Sequence, residues 1–198
     1  MHMQLLEQAL ARFAEVYGRA AEAADVVDHT ACTLATCSAS GWPQVRTVLL
    51  KGYDERGFAF YTNRHSRKGQ ALAENPRAAV CFHWAPLAEQ VVIEGVVTPV
   101  AEAEADAYWA GRPRESQIGG WASHQSRGLE SREVLEQRVA EYAARFPDGE
   151  AVPRPPHWSG YRLAPVRIEF WRARPGRLHE RDVYEHTAEG WCHRLLNP

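Results

Sequence analysis

Residues 33–62 read TLATCSASGWPQVRTVLLKGYDERGFAFYT, and this run decides the fold class. It holds three short apolar or alternating segments, Thr33 to Cys37, Val45 to Leu50 and Phe58 to Thr62. Two turn signals separate them, Ser40-Gly41-Trp42-Pro43 and Asp54-Glu55-Arg56-Gly57. Short strands broken by such clusters pair as antiparallel neighbours. Upstream, Leu5, Leu6, Ala9, Phe13, Val16 and Tyr17 recur at helical spacing, which predicts a helix ending near Asp25. Downstream, Ser66 stands as an N-cap for a helix over Arg67 to Glu74, stopped by Asn75-Pro76. Strands follow at Arg77 to Trp84 and Gln90 to Val100, then a helix over Glu102 to Ala110 that Arg112-Pro113 ends or kinks. A longer helix is predicted over Ser131 to Arg145, and the proline-rich stretch Pro147 to Pro156 is an extended connector. Strands at Tyr161 to Arg172, Arg177 to His186 and Trp191 to Leu196 close the chain. The pattern predicts one antiparallel, barrel-like α+β domain over 1–198, with an N-terminal helix (1–25) and barrel and interface helices in 30–198. A dinucleotide-binding Rossmann fold is excluded, because no GxGxxG joins a strand to a helix.

The composition narrows function by exclusion. With 23 Lys plus Arg against 25 Asp plus Glu, the formal charge is −2. Nucleic-acid and membrane-surface binding therefore lack their electrostatic footprint. No stretch reaches the roughly 18 uncharged apolar residues of a membrane span, and Met1 to Glu7 has neither a basic nor an apolar signal region. Met1-His2-Met3 is given no function. Cys32, Cys37, Cys81 and Cys192 form no CxxC pair and no ligand-like spacing, so they read as thiols of a reducing cytoplasm. His179, His186 and His193 recur every seven residues, but no other ligand type stands close by and no metal is expected.

Several segments carry cations in positions that invite an anion. Arg46 and Lys51 end an apolar strand and point to opposite faces, so they serve one ligand only if the chain bends at Lys51-Gly52. Taken alone, they read as solvent-facing strand cations. Arg67 and Lys68 occupy a helix first turn, where positive charge opposes the macrodipole unless an anion sits there. With Ser66 and free backbone N–H groups they compose a phosphate cradle, the plainer alternative being a solvated basic turn. Tyr108, Arg112 and Ser116 fall at i, i+4 and i+8, which suits a second phosphate or a carboxylate. The run Ser116 to Ser126, with Gln125 at its end, sets hydrogen-bonding groups beside small residues, as a flat polar ligand requires. On a strand, Arg177, His179 and Arg181 share one face, either over an acceptor-rich ligand or as the charged guard of a sheet edge.

Six runs in order extend from about residue 30 to the C-terminus: RTVLLK (46–51), FYTNRHSRKG (60–69), EQVVIEG (89–95), YWAGRPRESQIGGWASHQS (108–126), HWSGYR (157–162) and IEFWRARPGRLHERDVY (168–184). Together they resemble the pyridoxine/pyridoxamine 5'-phosphate oxidase family of FMN-dependent enzymes. The resemblance implies a split β-barrel with flanking helices, working as a homodimer with two FMN sites at the subunit interface. It implies FMN contacts from Arg46, Lys51, Tyr61, Thr62, Arg67, Lys68 and Gln90, completed from the partner chain by Gln125, Ser126, Trp171 and Arg181. Lys51, Tyr108, Arg112 and Ser116 would grip the substrate phosphate, while Arg177 and His179 approach the pyridine ring as catalytic positioning groups. The implied reaction is hydride transfer from the substrate C4' carbon to the flavin, then reoxidation by O2 to H2O2. The amine substrate passes through an imine that water hydrolyses.

The chain departs from the family pattern at two places. Glu89 stands where the family usually has Arg, which removes a local cation, and Glu180 replaces the Asp of RLHDR. The phenazine-biosynthesis oxidases are close relatives that share RLHER but tend to lose the RPRxSQIGxW run, which is intact here. Oxidation of another planar aromatic, such as a phenazine precursor, is the first alternative. A split-barrel protein that binds flavin without oxidising anything is the second.

Overall fold

A computed structural model describes residues 2–198, with the side chains of residues 2 and 3 outside the description. Met1, the start of the stretch given no function, lies outside it as well. The helices are α1 (His2–Glu22), α2 (Arg67–Glu74), α3 (Glu102–Ala110), α4 (Arg114–Ala122) and α5 (Arg132–Arg145). The strands are β1 (Ala31–Cys37), β2 (Pro43–Leu49), β3 (Gly52–Asp54), β4 (Gly57–Asn63), β5 (Arg77–Trp84), β6 (Glu89–Pro99), β7 (Trp158–Arg172), β8 (Glu180–Thr187) and β9 (Gly190–Leu195). All nine join one antiparallel sheet in the order β2-β1-β5-β6-β7-β4-β3, with β8 and β9 branching from β7.

That branch is the split in the barrel. One edge of β7 pairs with β6 along its length. The other edge pairs with β4 over Trp158 to Leu163, then with β8 over Arg167 to Arg172. Between the two lies Ala164-Pro165-Val166, where proline has no N–H to donate to a ladder. Opposite it, β6 shifts register between Glu94 and Gly95. A Cβ at Gly95 would fall 2.0 Å from the Ala164 carbonyl oxygen, so only glycine admits this close crossing.

Alternation builds the core. Cys32, Leu34 and Thr36 of β1 and Val91, Ile93 and Val97 of β6 point inward. Helix α1 closes the barrel through Ala9, Phe13, Val16 and Ala20. Phe13 meets Tyr53, Phe58 and Phe82 edge-on at 4.9, 5.0 and 5.4 Å, an arrangement favoured by the ring quadrupoles. A second cluster, Trp109, Ile118, Val152 and Trp158, sits under α3 and α4.

Three expectations change. Helix α4 forms in a stretch to which the sequence pattern assigned no element, with Pro113 at its N-cap, a position that needs no N–H. Helix α1 ends at Glu22, before Asp25. The third change bears on function. Arg177 and His179 are not in a strand: Pro175–Arg177 form a 3-10 turn, and β8 starts at Glu180. Gly176 and Arg177 both have positive φ, 68° and 61°, which breaks the alternation that would put 177, 179 and 181 on one face.

Candidate active site

Ser66 caps α2 as expected, but this use consumes its hydroxyl. Ser66 Oγ accepts from the Gly69 backbone N–H at 3.3 Å and donates to the Asn63 carbonyl at 2.7 Å, fully buried. Ser66 therefore fixes the helix start, and its Oγ also accepts from the Lys68 ammonium at 3.5 Å. Arg46 is held by the Leu34 carbonyl, Thr36 Oγ1 and Gln44 Oε1 at 3.2, 2.7 and 3.1 Å. Lys68 donates to Thr62 Oγ1 and Gln125 Oε1, both at 3.2 Å. Burial, reinforced by the charge of Arg46, holds the Lys68 ammonium below the usual lysine range. Burial and the charge of Arg67 likewise lower Arg46. Arg46, Arg67 and Lys68, with Arg46 repelled by both of the others and none of them ion-paired to a carboxylate among the described residues, make a cradle that suits an anion.

Next to it, Lys51, Tyr61, Thr62, Lys68, Tyr108, Arg112 and Gln125 line a recess of about 190 Å³. The chain leaves β2 at Leu49, so Lys51 lies past the strand, at the bend that lets it face this recess. A neighbouring recess of about 230 Å³ shares Tyr61, Thr62, Arg112 and Gln125 and adds Ser116. The spacing of Tyr108, Arg112 and Ser116 survives although they span two helices, since Arg112 sits in the joint between α3 and α4. The Arg112 guanidinium donates to the Ser116 carbonyl at 3.4 Å and bonds the Tyr108 side chain, and its buried Nε has no partner among the described residues. A half-buried guanidinium that lines a recess with no carboxylate partner among the described residues suits an anionic oxygen there.

Tyr108 stacks on Tyr61 at 3.8 Å with planes 7° apart. Tyr61 Oη lies 3.5 Å from Glu104, whose carboxylate is paired with Arg162 at 2.6 Å. Burial, then the Glu104 charge, pushes the Tyr61 phenol up to about 12, so it stays neutral. The roles of Trp158, Glu104 and Arg162 went unread in the sequence. The usable signal was Gly160: a Cβ there would stand 2.5 Å from the Tyr61 ring.

The remaining residues form a second group. Gln90 is the register partner of Trp171, and both line a cleft of about 600 Å³ beneath α1. His179 packs on Trp171 at 4.7 Å, and its Nδ1 accepts from the Arg174 N–H at 3.2 Å. Arg181 is gripped by buried Glu169 at 2.7 Å. Burial would raise that carboxyl, but Arg181 and Arg167 hold it below the usual range. Gln90 was expected with Lys51 and Lys68 and instead lies with Trp171. Gln125 was expected from a partner chain and lies in its own chain's recess. Ser126 and Arg177 are two of the three described non-glycine residues with positive φ, and such backbone clusters at functional sites.

The C-terminal region, residues 158–198, matches the family profile described as the pyridoxine 5'-phosphate oxidase C-terminal dimerisation region. Residues 19–146 match the profile described as pyridoxamine 5'-phosphate oxidase. The chain belongs to the pyridoxine/pyridoxamine 5'-phosphate oxidase family. A relative of that name from Anaeromyxobacter dehalogenans is 58% identical over 96% of this chain and 94% of its own. Another, from Myxococcus xanthus strain DK1622, is 53% identical over 94% of this chain and 90% of its own. Among solved structures, PhzG from Burkholderia lata, in complex with tetrahydrophenazine-1-carboxylic acid, superimposes with a TM-score of 0.81. It shares 38% identity and covers 85% of this chain and 82% of its own. An FMN-binding protein from Nostoc punctiforme, at 19% identity, covers 95% of this chain and 96% of its own with a TM-score of 0.75, which shows the split-barrel fold.

This family member is a flavoprotein oxidoreductase whose cofactor is FMN. Its residues fit that group, because the unpaired cations Arg46, Arg67 and Lys68 meet the need of a terminal phosphate. At the Glu89 departure the structure shows a gain: buried Glu89 pairs with Arg19 of α1 at 2.6 Å and with Arg172 at 3.4 Å. Glu180 pairs with Arg174 at 2.8 Å. No helix among the described residues is long and apolar enough to cross a membrane.

Proposed function

We propose that this protein oxidises pyridoxine 5'-phosphate and pyridoxamine 5'-phosphate to pyridoxal 5'-phosphate in the cytoplasm, with O2 as acceptor and H2O2 as product. The observation that carries this reading is Arg112, half-buried, without a carboxylate partner among the described residues, and lining the recess that Lys51 and Tyr108 also line. When bound, FMN supplies the hydride acceptor and the route to O2. Arg46, Arg67 and Lys68 hold its phosphate, and Tyr61, Thr62, Gln125 and Ser126 of the same chain flank it. Lys51, Tyr108, Arg112 and Ser116 grip the substrate phosphate, far from the carbon that reacts, so binding energy there orients the ring. In the second group, Gln90 and Trp171 face a different cleft of the chain, and His179 packs on Trp171, with Arg177 and Arg181 flanking it in the chain. In a homodimer this group completes the partner's site, with Arg177 and His179 positioning and polarising the pyridine ring. The dimerisation-region match over β7 to β9, where all of that group but Gln90 resides, supports this assignment.

A second reading has one specific observation in its favour. The Burkholderia lata neighbour was solved with a reduced phenazine carboxylate, and a recess bearing Lys51 and Arg112 also accepts a carboxylate. Initial rates in air with pyridoxine 5'-phosphate and with a dihydrophenazine carboxylate, each scored for product and peroxide, separate the two. The proposal requires kcat/KM to favour the B6 phosphate; preference for the phenazine overturns it.

A further inference from the structure

We infer that Trp158 is a positioning residue for the phosphate clamp, its indole face compensating the charge of Arg112 where a carboxylate would otherwise do so. The inference rests on the reading of Arg112 as that clamp. Three other half-buried arginines here face acids: Arg154 takes Glu102 and Asp106, Arg162 takes Asp54 and Glu104, and Arg167 takes Glu94 and Glu169, while Arg46 of the cofactor cradle is held by neutral oxygens instead. Arg112 has no acid partner among the described residues. Its guanidinium carbon instead lies 4.9 Å from the Trp158 ring and 5.6 Å from the Trp109 ring. A carboxylate at this place would occupy the N–H fork and compete with an incoming phosphate. A π face attracts the cation through its quadrupole and leaves the in-plane N–H groups unspent.

The platform is itself held in place. Trp158 lies within 5° of the Tyr108 plane and 12° of the Tyr61 plane, at 6.0 and 5.5 Å. Trp109 meets it edge-on at 4.8 Å and is anchored by donating its indole N–H to the Val152 carbonyl at 2.8 Å. A Cβ at Gly120 would stand 2.7 Å from the Trp109 ring, so glycine there lets α4 lie against it. The Trp158 carbonyl accepts from Arg154 at 2.7 Å. Tyr108 and Arg112, two of the four clamp residues, thus take their orientation from one indole.

The test is a double-mutant cycle on the FMN-loaded enzyme with Arg112→Ala, Trp158→Leu and both together, plus Trp158→Phe as the conservative variant. Trp158→Leu should raise KM for pyridoxine 5'-phosphate, and Kd for pyridoxal 5'-phosphate measured by calorimetry, roughly 3- to 30-fold. It should leave kcat within about twofold, and Trp158→Phe should recover most of the loss. In the Arg112→Ala background the Trp158→Leu effect should shrink to the smaller part carried through Tyr108, because the charge the indole serves is gone. An equal loss in both backgrounds, or equal losses for Phe and Leu, overturns the inference and leaves the clamp standing. A clamp that fails shows separately, as Arg112→Ala losing phosphorylated and unphosphorylated substrates alike. Should Trp158→Leu not fold, Trp158→Phe against Trp158→Met carries the same comparison.

Discussion

Gly160→Ala is the smallest perturbation that reaches the site through packing alone. Gly160 is the register partner of Tyr61 across β4 and β7. A Cβ there would lie 2.5 and 2.7 Å from two Tyr61 ring carbons and 2.7 Å from a Val100 methyl. None of these is the loose end of a flexible side chain, so the ring must move. Overpacking of this kind costs about 1–3 kcal/mol, with the lower backbone entropy of Ala returning about 0.5–1. For a chain of this size a net loss of about 1–2 kcal/mol lowers Tm by roughly 2–8 °C. Because Tyr108 rides on Tyr61 at 3.8 Å, the clamp shifts as well. A displacement approaching 1 Å lowers kcat/KM for pyridoxine 5'-phosphate by up to about 100-fold. Calorimetric melting and steady-state kinetics on the same preparation measure both. Gly18→Ala serves as the control, since a Cβ there meets nothing within 4 Å. Its place in the interior of α1 predicts a gain of about 0.5–1 kcal/mol. A Gly160→Ala protein that melts and turns over like the parent refutes the packing argument.

Further outcomes follow from the same geometry. Arg112→Ala should cut kcat/KM for pyridoxine 5'-phosphate about 10- to 150-fold, the value of one charge-assisted contact, and leave unphosphorylated pyridoxine nearly unchanged; parallel loss on both substrates rejects the clamp. Arg177→Lys and His179→Ala should each lower turnover with flavin content intact, and normal rates in both would place the substrate elsewhere. The lowered pKa of Lys68 has two consequences of opposite sign. In the apoprotein its charge is a burden below the folded pKa, and the burden is relieved as pH rises toward the unfolded value of about 10.4. Apoprotein melting should therefore gain from Lys68 over that window while FMN affinity falls across it. Flavin release insensitive to pH there, in a protein that keeps its fold, would remove Lys68 from the cradle.

Much of this was legible in the sequence because local chemistry dictated it. The Ser66 cap fixed α2 to the residue, and alternation located the strands to within a few positions. The six family runs located the cations and the split barrel. What failed was set by non-local packing. Pro113 was weighed as a helix breaker, yet Trp109 and Ile118 pack together and draw a new helix out of the residues behind it. Gly176 carried its turn through Arg177, so alternation counted back from Arg181 assigned a strand face that does not exist. Trp158 gave no sign of its role, because an indole under a guanidinium is visible only once β7 lies beside α3 and α4.

Under the proposed function, one site takes Arg112 from one chain and Arg177 from its partner. Subunit complementation tests it most directly. Arg112→Ala and Arg177→Ala chains, differently tagged, are inactive or nearly so as separate homodimers and are then co-expressed. Random pairing makes half the dimers mixed, and each mixed dimer holds one site with both lesions and one with neither. Recovery to about one quarter of parental activity is expected in the total pool, and to about one half in purified mixed dimers. If each chain built its site from its own Arg112 and Arg177, every site would carry a lesion, and mixed dimers no more active than the parent variants would overturn the shared site.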